Sequence, residues 1–407
     1  MADIEIESEQ SELELSELGP IDLVNKLLGF AKLDKTDVQP TIQSLYFSSE
    51  LDNDKYRFLE LDDDMVGQLK TGERLLIKGE KHESAVLCTK SKTYDVKEAD
   101  TSNSLLLLPS CSYGDGKDEG EQNIVEQEVT SVLRKYLELK PCKPRLKKLR
   151  DLLEQNPYLG RLEESENEME KYTYDDILDL IQASEEEIQS GLKQAQACII
   201  DGYVRILDHE FLSKVITSIE DLISENSWSL DYVPLQECCN TLETLYHRDV
   251  ITSVLKTYGE PLETTEVDTG TGGVYRISEE MISRHYATLL LKNTGKFNLK
   301  EFISTWQASV PEGMKTDLSM LKGLALIDRS SKPEVVWYFP STDVPEEINE
   351  RFNFLFKTKE KWALDEITPY ILDLTTERLS VNGLLTKFCR ASTQGGVKVY
   401  NSRRPIS

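Results

Sequence analysis

The sequence predicts an α+β protein of several domains, with a small β domain first, a helical linker next and repeated helical units last. Three observations lead to this fold class. The length of 407 residues corresponds to two or three domains, and 39% hydrophobic residues suffice for buried cores. Short alternating runs indicate strands between residues 41 and 109, whereas later apolar residues recur at helical spacing. From residue 172 onward, helices followed by a short β-prone run recur several times.

The N-terminal end of the chain is a segment of its own. Residues 1–18 contain seven acidic side chains and no basic one. Because like charges at this density repel each other and little apolar surface is available to bury, we predict a disordered acidic tail over residues 1–19.

Residues 20–110 are predicted to form a small β-barrel-type domain or a curled sheet. Five short apolar or alternating runs, separated by glycines and a Ser/Thr/Asn cluster, carry this prediction: Ile42–Phe47, Tyr56–Leu61, Arg74–Lys78, Ser84–Thr89 and Leu105–Leu108. A plain antiparallel sandwich remains the alternative. The acidic run at residues 62–64 fits a solvated turn or a helix N-terminus better than a cation site.

Residues 111–171 are predicted to be a linker followed by helices. The stretch Ser112–Glu121 is rich in glycine and charge, as linkers are. Helical spacing follows it, carried by Val125, Val129, Val132, Leu133, Tyr136 and Leu137. A second helix is expected after the basic stretch Lys140–Arg150.

The remaining chain contains a repeat with a period of roughly 60–70 residues. Its β-prone endings fall at nearly regular intervals, around Tyr203, Val274, Val336 and Val397. Helices first and a hairpin last are the outline of a winged helix, so we predict a tandem array. Its parts are a first region at 172–278 with one or two units, a unit at 279–342 and a basic unit at 343–407. An irregular helical scaffold with stray strands is the alternative.

Charge is distributed unevenly along the chain. The net charge is −26, but residues 279–407 carry 18 basic and 16 acidic side chains, whereas residues 1–278 carry 29 and 57. No acidic residue follows Glu377. A third helix and a wing of one charge sign can contact phosphates, so we predict DNA contact at the C-terminal end. The candidates are Arg378, Lys387, Arg390, Lys398, Arg403 and Arg404, with Lys322, Arg329 and Lys332 in the preceding unit. A solvated basic face without a ligand is the alternative.

Several chemistries lack their sequence signatures. There is no phosphate-binding GxxxxGK[ST] loop, no HExxH and no GxSxG, so we predict a protein that is not an enzyme and has no cofactor. The seven cysteines show no CxxC or Cys/His spacing, which predicts reduced, buried thiols and no metal site. No apolar run approaches the ~18–20 residues of a membrane span, and the acidic N-terminus lacks a signal-peptide pattern. These features predict a soluble, intracellular protein.

Three blocks of the sequence resemble one known family. They are Glu73–Pro109 (ERLLIKGEKHESAVLCTKSKTYDVKEADTSNSLLLLP), Tyr174–Asp208 and the closing block that begins at Trp362 and ends in YNSRRP. The resemblance covers roughly residues 20–407 and is to the sister chromatid cohesion protein Dcc family. Its members are accessory subunits of the alternative, cohesion-type replication factor C clamp loader.

This resemblance implies a nuclear, non-ATPase subunit. It implies an N-terminal β domain shared with the large ATPase subunit and a small companion subunit of the loader. It also implies winged helices that bind DNA with little sequence specificity, attachment to DNA polymerase epsilon, and action on the sliding clamp PCNA in sister chromatid cohesion. Edge strands would complete the shared barrels. The candidate partner-binding residues are Leu75, Leu76, Ile77, Val86, Leu87, Leu105, Leu106 and Leu107.

Two other functions stay open. Tandem winged helices also serve as protein–protein adaptors, and the acidic character of residues 1–278 favours a basic protein partner. A sequence-specific transcription regulator is a weaker alternative, because the predicted recognition helix offers only Asn382 at its start as a base-reading side chain.

Overall fold

The structure is a computed structural model of the chain, and it describes residues 20–32, 43–109, 125–262, 273–376 and 379–403. The predicted disordered tail and the predicted linker Ser112–Glu121 lie outside these residues. The chain forms two compact units. The first comprises Met1–Leu149 and Asp176–Gly191, and the second comprises Arg150–Asp175 and Leu192–Ser407. The domains predicted from the sequence are continuous stretches of chain, whereas in the structure Asp176–Gly191 groups with the N-terminal unit.

The N-terminal unit is built mainly from strands. Its elements before residue 145 are α1 (Pro20–Ala31), β1 (Gln43–Phe47), α2 (Asp63–Lys70), β2 (Leu76–Lys78), β3 (Val86–Cys88), β4 (Thr93–Leu107), β5 (Val125–Val129) and β6 (Ser131–Pro141). An antiparallel sheet has the order β2-β3-β4-β6, and β1 pairs with β5 in parallel. Over the described residues neither sheet closes on itself. The mixed α+β class is confirmed, whereas a closed barrel is not observed.

The helix predicted from the spacing between Val125 and Leu137 is wrong, because this stretch forms β5 and β6. The buried positions alternate: Gln127, Val129, Ser131 and Leu133 point inward. Alternation is the strand period, but two of the four inward residues are polar, which concealed the pattern.

Two further strand predictions change. Leu105–Leu108 is not a separate strand, because β4 continues through the expected turn and pairs with β6 on both sides of an irregularity between Asp100 and Leu105. Tyr56–Leu61 forms no strand, and only Leu59 makes an isolated bridge, to Leu137.

The acidic run at residues 62–64 begins helix α2. The Asp62 carboxylate accepts a hydrogen bond from the Met65 amide at 2.8 Å, and Asp63 and Asp64 lie in the first turn. Carboxylates are favourable there because they satisfy free N–H groups and face the positive end of the helix dipole. Met65 is buried with Leu87 and Tyr94. In the described part of the chain no cluster of metal-ligating side chains occurs.

The helices and strands between residues 146 and 205 are α3 (Leu146–Gln155), α4 (Arg161–Ser165), α5 (Tyr174–Leu180), α6 (Glu185–Gln194), β7 (Cys198–Ile200) and β8 (Tyr203–Arg205). Strands β7 and β8 form an antiparallel hairpin. Arg205 is buried and donates hydrogen bonds to the Asn156 carbonyl at 3.2 Å and to Glu164. This hydrogen bonding satisfies a buried charge.

Three consecutive segments of the second unit share one order of elements. The first contains α7 (His209–Glu225), β9 (Val233–Pro234), α8 (Leu235–Leu242), α9 (Arg248–Tyr258), β10 (Gly259–Pro261) and β11 (Val274–Ile277). The second contains α10 (Glu279–Lys292), β12 (Lys296–Asn298), α11 (Leu299–Ser309), a 3₁₀ turn (Leu318–Leu321), β13 (Ala325–Asp328) and β14 (Val335–Tyr338). The third contains α12 (Ile348–Thr358), β15 (Trp362–Ala363), α13 (Leu364–Ile371), a 3₁₀ turn (Leu372–Leu374), α14 (Val381–Phe388), β16 (Cys389–Gln394) and β17 (Val397–Ser402).

Each segment also has the same sheet. Three antiparallel strands pair so that the last strand in the chain, β11, β14 or β17, lies in the centre. Large aromatic side chains pack in the interiors of the second and third segments. Trp306 stacks on Phe302 within helix α11 at 5.3 Å between ring centroids, and Phe352 of α12 stacks on Phe388 of α14 at 4.8 Å. Among the described residues, no helix is long and apolar enough to cross a membrane.

Candidate partner and nucleic-acid interfaces

Strand β1 of the parallel pair β1–β5 exposes apolar side chains on both of its faces. Leu45, Tyr46 and Phe47 follow one another in β1, and all three are exposed, Phe47 by 60%. Parallel sheets are usually covered on both faces by other elements, and their strands therefore carry apolar side chains on both faces. The sequence predicted the strand but not its role. A run of three apolar residues was the available signal, since neighbouring side chains cannot share one face.

Strand β2 forms one edge of the four-stranded sheet. Of the predicted partner-binding residues it carries Leu76 and Ile77, which are 51% and 64% exposed, and Leu75 just before it is half-buried. Val86 and Leu87 lie on the neighbouring strand β3 and are fully buried. These two belong to the interior of the sheet and not to an outer surface.

The far half of β4 has a second open edge. Strand β3 covers only Thr93–Asp95, whereas β6 pairs with β4 as far as Leu107. Beyond the contact of Val96 with Ala85, no described strand pairs with this side of β4. Leu105 and Leu106 are exposed here and Leu107 is half-buried. Unpaired strand edges are templates for pairing with another chain.

Polar contacts from within the N-terminal unit hold β2 in place. The ammonium group of Lys78 donates hydrogen bonds to the carbonyls of Leu178 at 2.6 Å, Ala183 at 2.8 Å and Ile181 at 3.3 Å. Burial lowers the pKa of Lys78 below its ordinary value. On β4, the Thr93 hydroxyl donates to the Glu187 carboxylate at 2.5 Å. The segment Asp176–Gly191 therefore fixes the sheet on which the open edges lie.

The basic residues of the third segment do not share one surface. Lys387 is exposed in the last turn of α14, but the helix ends at Phe388 and Arg390 lies on strand β16. In the register of β16 and β17, Arg390 is opposite Asn401 and Lys398 is opposite Thr393. Because side chains alternate along a strand, Arg390 and Lys398 lie on opposite faces of the ribbon.

Arg403 has a structural role in the same segment. Its guanidinium donates hydrogen bonds to the carbonyls of Thr386 at 3.2 Å and Lys387 at 3.5 Å, at the C-terminal end of α14. A cation there satisfies free carbonyls and faces the negative end of the helix dipole. Of the other predicted DNA-binding residues, Arg378 and Arg404 lie outside the described residues.

The three candidates of the preceding segment are separated from one another. Lys322 follows a 3₁₀ turn, and its ammonium lies 3.3 Å from the Asp365 carboxylate. Arg329 and Lys332 are exposed in the turn between β13 and β14. Only these last two project from a wing-like turn.

A cavity of about 360 Å³ lies between α14 and the ribbon of β16 and β17. It is lined by Asn382, Leu385, Thr386, Cys389, Ala391, Lys398 and Tyr400. Of the basic residues in the described part of this segment, only Lys398 lines the cavity. The sequence contains no signal for this cavity, because the cavity depends on how helix α14 and the ribbon of β16 and β17 pack.

The thiols and the buried histidine are poor reactive groups. Burial raises the pKa of Cys142, Cys238 and Cys389 to about 12, and that of Cys198 to about 11, so these thiols are protonated. Burial lowers the pKa of His285 to about 4, and its Nε2 lies 3.2 Å from the Ser213 hydroxyl. The predicted reduced, mostly buried cysteines agree with this, except that Cys111 lies outside the described residues.

The comparisons with known proteins agree on one family. A model of the family "Sister chromatid cohesion protein Dcc1" matches residues 56–371. The chain is 44% identical to sister chromatid cohesion protein DCC1 of Xenopus tropicalis, over 94% of this chain and 98% of the relative. It is also 44% identical to the Homo sapiens protein of the same name, over 95% and 99% of the two chains. The probable DCC1 of Dictyostelium discoideum is 28% identical over 88% and 96%.

The described residues thus define a mixed α+β protein with unpaired strand edges and repeated helix–sheet segments, and the comparisons give the family to which it belongs. The chain belongs to the sister chromatid cohesion protein Dcc1 family, as the sequence blocks predicted. The family is named for cohesion and not for a catalytic activity.

Proposed function

We propose that this chain is a non-catalytic, nuclear accessory subunit of the cohesion-type replication factor C clamp loader. Its N-terminal β domain joins the large ATPase subunit to the small companion subunit. Its last three repeated segments are winged helices that hold DNA. Through these contacts the subunit attaches the loader to DNA polymerase epsilon and supports its action on PCNA during sister chromatid cohesion.

The observation that carries the first part is the incomplete β domain. Strand β1 exposes Leu45, Tyr46 and Phe47 on both faces, and no strand among the described residues pairs with the outer edge of β2 or, on the side away from β6, with the far half of β4. Exposed apolar strands of this kind favour aggregation unless another chain covers them. Partner strands that pair along these edges would satisfy the backbone groups and bury the apolar side chains together.

Amide hydrogen exchange tests this part. The chain is compared alone and after co-expression with the two loader subunits. Amides of β1 and of Leu105–Leu107 are expected to exchange at least tenfold more slowly in the complex, because pairing protects them. Amides of β3, which lies between two strands, serve as the internal control. Unchanged exchange in β1 and β4 within a stable complex would place the partner elsewhere.

The second part rests on the shared order of the three segments. Each has a helix, a short strand, two or three further helical elements and a hairpin, with the last strand in the centre of the sheet. That order is consistent with a winged helix, and under this proposal the third helical element and the hairpin face DNA. Lys387, Arg390 and Lys398 occupy these elements in the third segment, and Arg329 and Lys332 occupy the turn between the last two strands of the second.

Salt-dependent DNA binding by the whole chain tests the second part. Fluorescence anisotropy with a labelled primer–template is expected to give a logarithmic salt slope of roughly −3 to −5, because about four to six phosphates are contacted. Lys387→Glu with Arg390→Glu should weaken binding at least tenfold at low salt. The matched control is Lys361→Glu with Lys357→Glu. It changes the net charge of the same segment by the same amount, but at residues outside α14 and the hairpin. A slope near zero would exclude phosphate contact as the source of binding.

A protein–protein adaptor without DNA contact is the second candidate. The guanidinium of Arg403 is bound to carbonyls of α14, Lys322 is paired with Asp365, and the stretch 1–278 is strongly acidic. Under this function the remaining basic residues dock an acidic protein surface. The whole chain would then bind the other loader subunits or the polymerase but show no anisotropy change with DNA.

A further inference from the structure

We propose that the cavity beside α14 receives one unstacked nucleotide of single-stranded DNA. The inference rests on the proposed contact of the third segment with DNA, and it adds the form of DNA and the place where a base is held. Bases stacked inside a duplex cannot enter a cavity in a protein, so the site selects single strands or the unpaired part of a primer–template.

The alternation of the ribbon creates the cavity. Ala391 is directly opposite Tyr400 in the β16–β17 register, so their side chains lie on the same face as Cys389 and Lys398. That face is turned toward Asn382, Leu385 and Thr386 of α14, which complete the lining. The small side chain at position 391 leaves the space open, whereas Arg390 and Ser392 point to the other face.

The floor of the cavity is apolar. Leu385, Cys389 and Tyr400 are all buried and form the inner lining. The Cys389 thiol is protonated and therefore neutral. A volume of about 360 Å³ lies at the small end of typical ligand sites, which take a planar group with a few polar contacts. A nucleobase presents two apolar faces to such a floor.

The rim supplies polar and charged groups that match the rest of a nucleotide. Asn382 is exposed and offers an amide donor and an acceptor to a base edge. The Thr386 hydroxyl donates to the Asn382 carbonyl at 2.8 Å, which leaves its oxygen free to accept from an exocyclic amine. The Lys398 ammonium lies 5.3 Å from the Tyr400 ring centroid and can pair with the phosphate. None of the residues that line the cavity is acidic, so the lining carries no negative charge to oppose that phosphate.

The test fills the cavity without changing charge. Ala391→Leu occupies the space, and Ser392→Leu adds the same side chain to the adjacent exposed position on the opposite face. Binding of the whole chain is measured with a labelled dT oligonucleotide, a blunt duplex of equal length, and an oligomer of abasic sugar-phosphates. Circular dichroism and the melting temperature establish that both variants fold.

We expect Ala391→Leu to weaken dT binding about 5- to 150-fold, since one base contact contributes about 1–3 kcal/mol. Binding of the duplex and of the abasic oligomer should remain unchanged in this variant, and Ser392→Leu should match the parent chain on all three. If the parent chain binds DNA but Ala391→Leu weakens dT and duplex binding equally, or weakens neither, the nucleotide site is overturned. The proposed function is left intact by either outcome. A parent chain that binds none of the three probes overturns both.

Discussion

Under the proposed function, replacing Phe47 and Ile77 together by glutamate is expected to weaken assembly with the loader subunits by several orders of magnitude. The two side chains are 60% and 64% exposed, and they lie on β1 and on the edge strand β2. Burying an unpaired carboxylate in an apolar interface is costly, and two such anchors together contribute about 3–6 kcal/mol. Partner affinity should therefore fall roughly 100- to 10,000-fold. Co-purification from co-expressing cells and titration of the purified chain measure the loss.

The control for this double variant has the same chemistry at another place. Leu245 and Leu162 are 64% and 81% exposed, and both lie in the second unit. Leu245→Glu with Leu162→Glu should leave assembly unchanged, because neither side chain belongs to a sheet of the β domain. Equal loss in the two double variants would mean that added negative charge, and not the location, prevents assembly.

Replacing Arg351 by alanine should cause a large loss of stability in the second unit. Arg351 lies on α12 and is only 4% exposed. Its guanidinium donates hydrogen bonds to the Pro345 carbonyl at 2.5 Å, to the Tyr370 carbonyl at 3.1 Å and to the Asp373 carboxylate. It thereby ties α12 to the end of α13. Alanine removes the donor for two carbonyls and leaves a cavity, which together cost about 2–4 kcal/mol.

Thermal unfolding and amide exchange over residues 343–403 measure this effect. The melting transition of the unit should fall by roughly 5–15 °C. Arg351→Lys should recover only part of the loss, because a single ammonium cannot reach three acceptors with the planar geometry of a guanidinium. Arg329→Ala, at an exposed turn, is the control and should change stability by less than about 0.5 kcal/mol. An Arg351→Ala chain as stable as the parent would show that these bonds contribute nothing net.

Sequence reasoning succeeded where one local signal sufficed. The β-prone endings at residues 203, 274, 336 and 397 each fall in an observed strand. A short run of β-branched and aromatic residues that follows a helix favours a strand on its local sequence alone. It failed for residues 125–141, where Gln127 and Ser131 occupy buried strand positions. Burial of these polar residues depends on neighbouring strands, which local composition does not report.

The candidate interfaces divide in the same way. The leucines of residues 75–76 and 105–107 were predicted as a partner surface from their strands, but Val86 and Leu87 were grouped with them although they are buried. Which strand lies at an edge is a property of the sheet order and not of any one strand. The basic residues were likewise counted together by sequence position, whereas their distribution over two faces of the ribbon follows from its register.

The sequence by itself therefore determined the family, the α+β class, the unequal distribution of charge and the repeat, since each is written in local residue patterns. The tertiary structure decided which strands have open edges, that Asp176–Gly191 supports the N-terminal sheet, that Arg403 caps α14, and that a cavity opens beside Lys398. All four depend on contacts between residues far apart in the chain, or on how neighbouring elements pack. Such contacts are selected by the packing of the whole fold, which no local pattern specifies.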